Sequence, residues 1–344
     1  MTIDAVIAWV DGADPVHRAA RAEYAQAPAD GDETRFVQSG EIYVAIASIL
    51  KFAPFIRRIF LVTDNQVPAD LELFAASGLS APDGIEVVDH DVIFNGLPAA
   101  RPNFNTRAIE GAMHRIPGLS PSFVYFNDDM FLNSTATPGD FFQGGLPVLR
   151  GEMIKTRAAR PLFRAKSALK RAVGRPDTRP SHLVSQEVGA RLMGFERTFL
   201  RVPHVPHPLR VPTIEEALAA HPGLLDAQVW FRFRDRAQYS AVSLANHAEM
   251  AQGVPVLPSP DLVYLRDGRD SSFADDLARI ADGAAPYACL QGVEGLAPER
   301  RRDLMETLVK RFASHLPNRI RERLLDPDQD ARSSCHIGGK MASS

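Results

Sequence analysis

Short apolar runs that stop abruptly in polar residues recur along the chain. Ile3–Val10 is followed by Asp11, Gly12, Ala13, Asp14 and Pro15, and Ile59–Thr63 by Asp64, Asn65 and Gln66. Ile85–Val88 is followed by Asp89, His90 and Asp91, and Phe123–Phe126 by Asn127, Asp128 and Asp129, after which Met130, Phe131 and Leu132 resume the pattern. Runs this short, rich in β-branched and aromatic residues and closed by turn formers, predict buried strands. Between the first two, Ile42, Ala45, Ile46, Ile49 and Leu50 fall at three- and four-residue spacing. That spacing predicts an amphipathic helix over Glu41–Phe52, ended by Pro54. Residues 16–34 read as a helix and then a loop, and a further helix is predicted from Thr106 to Arg115 after the polar loop Arg101–Asn105. Strands alternating with helices predict an α/β fold with a mainly parallel central sheet and helices on both faces.

Farther along, Asp261–Leu265 reads as another strand, and Pro298–Leu316 as a charged amphipathic helix on the outside of the fold. From Asp326 the apolar pattern is gone, which predicts a flexible tail. The chain divides into an α/β part over 1–150, a basic helical excursion over 151–200, the remainder of the domain over 201–325 and the tail 326–344. Between Lys155 and Arg179 nine basic residues accompany one acidic residue, Asp177. Such a run is either a solvated excursion or a contact for an anionic surface such as lipid phosphate.

Composition narrows the class. A length of 344 residues gives a soft prior of about two domains, and 45% hydrophobic with 24% charged content is that of an ordinary soluble protein. A net charge of −3 argues against a general nucleic-acid binder. The two cysteines, Cys289 and Cys335, are too few and too far apart for a disulfide framework or a cysteine zinc site. The amino-terminal MTIDAVIAWVDG lacks the basic leader of a signal peptide, and no run approaches the roughly 18 apolar residues of a membrane span. The expected location is cytoplasmic, with peripheral contact at the inner membrane surface left open by the basic stretch.

The candidate chemistry sits where the runs end. In an open α/β sheet the carboxyl edge of the strands is where ligands bind. Asp128 and Asp129 at that edge need partners, because a buried charge must be paired. A divalent cation shared with a substrate phosphate is one solution; a turn in which an aspartate caps the next helix is the other. His204-Val205-Pro206-His207-Pro208 is a rigid, non-helical segment. It suits a positioned base, a structural histidine, or a metal pair, although no third histidine or cysteine is near in sequence. Arg232, Arg234 and Arg236 alternate in WFRFRDR, which on a strand would place all three guanidinium groups on one face. That row is either an anion site or a wet edge.

Taken together, four blocks in order resemble the Stealth family of sugar-1-phosphate transferases, which includes bacterial capsule-polymer enzymes and the catalytic subunit of the animal lysosomal-enzyme N-acetylglucosamine-1-phosphotransferase. The blocks are IDAVIAWVDGADP (Ile3–Pro15); KFAPFIRRIFLVTDNQVP, NFNTRAIEGAMHRIPGL and FVYFNDDMFL within Arg35–Leu132; His204–His247; and Leu265–Asp270. The chain departs from the family at Tyr43 and Ala47, where arginines are common, at Thr106-Arg107 in place of Ser-Asn, and at Arg266 in place of Asn. The resemblance implies a nucleotide-sugar-transferase-like fold and transfer of hexose-1-phosphate or N-acetylhexosamine-1-phosphate from a UDP-sugar to an acceptor sugar hydroxyl of a polysaccharide or oligosaccharide. UMP leaves and a phosphodiester forms, in capsular or exopolysaccharide synthesis. By position, Asp128 and Asp129 correspond to the family's acidic pair for Mg²⁺ (or Mn²⁺), with Asp128 also catalytic. His204 corresponds to the general base and Arg234 to an active-site arginine. Asp11, Asp14, Asn105, Arg115 and Asn127 correspond to positions lining the donor site. Two other readings stand beside it: a metal-dependent glycosyltransferase releasing UDP, and a non-catalytic glycan- or nucleotide-binding homologue.

Overall fold

The computed structural model describes residues 1–25, 39–161, 180–266 and 272–326. Among these, β1 (Ile3–Ala8), β2 (Ile56–Thr63), β3 (Ile85–Asp89) and β4 (Ser122–Asn127) lie parallel, side by side in the order β4-β1-β2-β3. A further strand, His207–Arg210, runs antiparallel along the outer side of β4, with His207 opposite Tyr125 and Arg210 opposite Ser122. The carboxyl ends of β1 to β4 and the amino end of this strand therefore share one edge.

The apolar runs are continuous because both faces of the sheet are covered. Ile3, Ala5 and Ile7 of β1, Ile59 and Leu61 of β2, and Val124 and Phe126 of β4 pack into one core. Val6, Phe60, Val62, Phe123 and Tyr125, the alternate positions, pack into a second core on the other face. The first core receives the helix Glu41–Phe52, which is buried on nearly every side, and the apolar face of Pro298–Phe312, through Leu304, Leu308 and Phe312. The second receives Ile93 and Phe94, Ala108 and Ile109, and Val242 and Ala245 from three helices. The chain thus forms the mainly parallel sheet with helices on both faces that its pattern predicts.

At Asp128-Asp129 the chain leaves this sheet. β5 (Met130–Leu132) pairs antiparallel with Tyr287–Gln291, which in turn runs parallel to Leu262–Arg266. The backbone amide of Leu290 donates to the Asp129 carbonyl at 2.8 Å. The acidic pair is thus a turn held between two sheets, and no helix follows it to be capped.

Two expectations need correction. The stretch 230–236 is a loop and not a strand. Its alternation arises because Phe233 stacks on Phe104 (ring centroids 5.4 Å apart) while each arginine finds its own partner. The described part of 151–200 is not simply a helical excursion: Glu152–Lys155 pairs antiparallel with Thr198–Arg201, and the helix His182–Leu192 lies between. Most of the basic run, residues 162–179, and the tail from 327 onward lie outside the described residues, as do Cys335 and residues 267–271 of the last block. No helix among the described residues is long and apolar enough to cross a membrane.

Candidate active site

The loops at the carboxyl edge are locked to one another. The Asp11 amide donates to Gln66 Oε1 at 2.7 Å and Gln66 Nε2 returns a bond to the Asp11 carbonyl at 3.0 Å, which joins the loops after β1 and β2. The Asp11 carboxylate accepts from the Ala13 amide at 2.8 Å. Asp14 caps the helix Pro15–Tyr24, its Oδ1 accepting from the His17 amide at 2.8 Å.

Beside β4 the geometry is tighter. The Tyr125 hydroxyl donates to Asn127 Oδ1 at 2.7 Å and lies 3.2 Å from Glu110 Oε1. Desolvation raises the Glu110 pKa, with Arg234 and the Tyr125 bond pulling the other way. Burial also drives the Tyr125 pKa well up, assisted by Glu110 and Asp128, while the charge of Arg234 opposes it. Asp128 and Arg234 thus act on the same hydroxyl with opposite sign. Thr106 and Glu110, one turn apart on one helix, present the same face, and Arg234 Nη2 donates to Thr106 Oγ1 at 3.0 Å.

The acidic pair differs within itself. Asp129 has its pKa raised to about 7, first by burial and then by the charge of Asp128, against a hydrogen bond from the Cys289 thiol. Its Oδ1 is buried and has no hydrogen-bond partner. Glu41, at the start of its helix, is likewise raised to about 7 by burial, with Asp128 adding to the effect. An orphaned carboxylate oxygen beside a second carboxylate fits a hard cation that takes one or two protein carboxylates and keeps the rest of its shell for phosphate and water. No set of three His, Cys, Asp or Glu side chains among the described residues forms a protein-only cage.

His204 stands where the antiparallel edge strand begins. Its ring lies 5.2 Å from that of Tyr264 and 5.4 Å from that of His182, centroid to centroid. Burial, and then the charge of Arg266, lower its pKa. His182 is the third histidine that was not visible near His204 in sequence. Crowding by protein, then the charges of His204, Arg234 and Arg107, lower its pKa, and through it the His204 and Arg234 neighbourhoods join. His207 is also held neutral, to about 3, by burial and by the other two rings.

Two residues assigned to the donor site by position have other work. Asn105 is fully buried, and its amide nitrogen donates to the carbonyls of Phe231 (3.0 Å) and Phe233 (2.8 Å) and to Gln238 Oε1 (2.9 Å). It is the latch of the arginine loop. Arg115 donates to the carbonyls of Ile93 and Asn95 at 2.6 and 2.7 Å, closing the end of the helix His90–Phe94. Arg107 helps Asn105, donating to the carbonyl of Asp235 at 2.7 Å and to those of Pro180 and Ser181 at 2.7 and 3.0 Å. Arg232 stacks on Tyr24, 3.6 Å from the ring centroid, and donates to the carbonyls of Arg101 and Pro102. Sequence reading missed Glu110, His182, Tyr264 and Cys289; only Glu110, four residues from Thr106 on a predicted helix, carried a signal.

Residues 1–27 match Stealth protein CR1, conserved region 1, and residues 35–147 match Stealth protein CR2, conserved region 2. An exopolysaccharide phosphotransferase of Streptomyces coelicolor is 33% identical over 249 residues, 71% of this chain and 39% of that protein. Another, of Lactiplantibacillus plantarum, is 41% identical over 147 residues, 42% of this chain and 41% of its own length. The chain therefore spans about two fifths of the length of these relatives. A galactosyltransferase solved in complex with donor and acceptor sugar analogs aligns over 90% of this chain and 95% of that one, at 11% identity and a TM-score of 0.42.

Proposed function

The chain belongs to the Stealth family through its conserved regions 1 and 2, and from that premise we propose that it transfers hexose-1-phosphate or N-acetylhexosamine-1-phosphate from a UDP-sugar to a hydroxyl of a glycan acceptor. UMP leaves and a phosphodiester forms. The observation that carries this reading is the convergence on Tyr125: its hydroxyl bonds Asn127, which directly precedes Asp128, and Glu110, one helical turn from the Thr106 that Arg234 bonds, and the charges of Asp128 and Arg234, 106 positions apart, both reach it. The His182–His204 pair adjoins Arg234 in turn. An anion-binding arginine, an acidic pair and a neutral imidazole are what attack on a diphosphate requires.

Asp128 and Asp129 are the residues that would hold Mg²⁺ (or Mn²⁺), and the orphaned Asp129 oxygen fits that use. A cation held there would supply charge neutralisation for the diphosphate. Arg234, planar and always charged, forks onto the non-bridging oxygens of the transferring phosphoryl group. Thr106 holds that guanidinium through its hydroxyl, and the Glu110 carboxyl one turn along interacts with its charge. A free nitrogen of the neutral His204 ring accepts the proton of the attacking hydroxyl, and its lowered pKa keeps it unprotonated at pH 7. Asn127, fixed by Tyr125, offers its remaining amide bonds to the donor. Peripheral membrane contact through the basic run belongs to the same proposal as a site for anionic lipid.

The test is incubation with a UDP-sugar panel, a glycan acceptor and Mg²⁺. Release of UMP with phosphorus retained in the product is expected. Release of UDP with a phosphorus-free glycoside would replace this reading with a glycosyltransferase, and donor binding without turnover would leave only a binding homologue.

A further inference from the structure

Thr106 and Arg107 open the helix Thr106–Ala112 and grip the arginine loop in two ways. Thr106 Oγ1 accepts from the Arg234 side chain, and Arg107 Nη1 donates to the Asp235 carbonyl at 2.7 Å. The second terminal nitrogen, Arg107 Nη2, reaches a different segment and donates to the carbonyls of Pro180 and Ser181 at 2.7 and 3.0 Å. One buried guanidinium therefore bridges two stretches of backbone that are far apart in the sequence. Its planar fork fixes both at once, which a lysine ammonium, a point donor on a flexible stem, does not do.

The bridged segments lead to the two groups that the proposed chemistry needs. Asp235 directly follows Arg234. Ser181 caps the helix His182–Leu192, its Oγ accepting from the Val184 amide at 3.3 Å, and directly precedes His182. The His182 ring meets that of His204 edge-on, with centroids 5.4 Å apart and planes at 61°. His204 thus stands between two rings that are held differently. Tyr264, on the far side, lies in a strand paired with Tyr287–Gln291, and its hydroxyl donates to Gln291 Oε1 at 2.6 Å. His182 is exposed at the first position of its helix, so the backbone before it, and not enclosure of its ring, decides where the ring sits. That backbone is what Arg107 holds. An edge-to-face contact is worth little by itself, and it orients His204 only while His182 is fixed.

We propose that Arg107 and His182 are positioning residues: Arg107 clips the start of the His182 helix to the Arg234 loop, and the His182 ring then sets the His204 imidazole in a fixed place relative to that guanidinium. The proposal rests on the transferase reading for the roles of His204 and Arg234, while the placement itself needs no turnover. The test therefore begins without donor or metal. The His204 ring is titrated by NMR in the full chain labelled at histidine, assigned with His204→Gln, in wild type, Arg107→Lys, His182→Ala and His182→Phe. Withdrawal of the neighbouring ring opens His204 to water and relieves the burial that lowers its pKa. Its midpoint should accordingly rise toward the ordinary value of about 6.5 in Arg107→Lys and His182→Ala, and stay near wild type in His182→Phe, which keeps a ring. In the UMP-release assay, kcat per folded molecule should fall about tenfold or more in the first two variants, as misplacement of a reacting group implies. Arg107→Lys should cost less in the His182→Ala background than in wild type, since both act on one ring. His182→Ala removes an exposed side chain, so it reports even if Arg107→Lys misfolds. A His204 midpoint unmoved in His182→Ala or in folded Arg107→Lys, or fully additive losses, overturns the proposal and leaves the transferase reading standing. The expected shifts in a protein that releases no UMP sink the transferase reading alone.

Discussion

The Tyr125 hydroxyl and the Glu110 carboxyl lie 3.2 Å apart, one on the strand that delivers Asp128 and the other on the helix that seats Arg234. Tyr125 has one proton, shared between Asn127 Oδ1 at 2.7 Å and Glu110 Oε1 at 3.2 Å. The bond to Glu110, donated by the hydroxyl, pulls the Glu110 pKa down against the upward push of burial. Glu110→Gln keeps an acceptor oxygen of the same shape for the Tyr125 hydroxyl and should hold UMP release within about tenfold of wild type. Glu110→Ala frees the Tyr125 hydroxyl and removes the charge beside Arg234, and misplacement of about 1 Å costs on the order of 10²-fold. The loss should appear in kcat with the melting temperature little changed; equal losses in the two variants would mean that Glu110 acts by its charge.

Asn105 is expected to matter for structure before chemistry. Its amide nitrogen donates to two carbonyls and a glutamine oxygen on the arginine loop. Asn105→Ala strands buried acceptors, at about 1 kcal/mol or more for each lost bond. Urea denaturation should show unfolding free energy lower by about 2–3 kcal/mol, and the loop 230–238 should become open to protease. If donor binding were lost with stability intact, the residue would be a ligand contact after all.

What the chain made legible follows from burial. The four parallel strands were readable because both faces of each are covered, so their apolar runs are unbroken and end sharply at the edge. The position of Asp128 and Asp129 came with them. Polar residues that point inward were not readable. Asn105 and Arg115 have the residue types of a ligand site, and sequence alone cannot say that backbone carbonyls already occupy their bonds. The WFRFRDR alternation misled for a similar reason: stacking of Phe233 on Phe104 produces period two in a loop. His182 was invisible because its place beside His204 comes from the fold, with 21 intervening residues between them.

At the opposite edge from the site, Asp4 is completely buried, and Arg57 Nε and Nη2 reach its two oxygens at 2.9 and 2.7 Å. The Ser120 amide adds a third bond at 2.7 Å. Arg57→Ala leaves that carboxylate with the amide alone. Because the Arg57 side chain is itself 42% exposed, water partly replaces it, and the expected cost is about 1–3 kcal/mol and not the larger figure for a fully buried pair. Turnover per folded molecule should stay at the wild-type value, since the pair sits at the amino ends of β1 and β2. A chemical melt together with active-site titration separates the two effects.

The last prediction concerns pH and metal at Asp129. Its pKa is raised to about 7 by burial and the neighbouring Asp128 charge, and Glu41 is raised to about 7 by burial. A carboxyl with a raised folded-state pKa contributes stability that is fully present below its unfolded pKa and is lost as pH rises through the folded value. The metal-free protein should therefore melt progressively lower as pH increases from about 5 to 8, and Asp129→Asn should flatten that slope. Cation binding runs the other way, because the ligand must be deprotonated. Calorimetric Mg²⁺ affinity should fall about tenfold for each pH unit below 7, level off above it, and vanish in Asp129→Asn. Saturating Mg²⁺ should accordingly raise the melting temperature more at pH 8 than at pH 6. An affinity equal at pH 6 and pH 8 would show that Asp129 stays ionised throughout and that the orphaned oxygen serves some other partner.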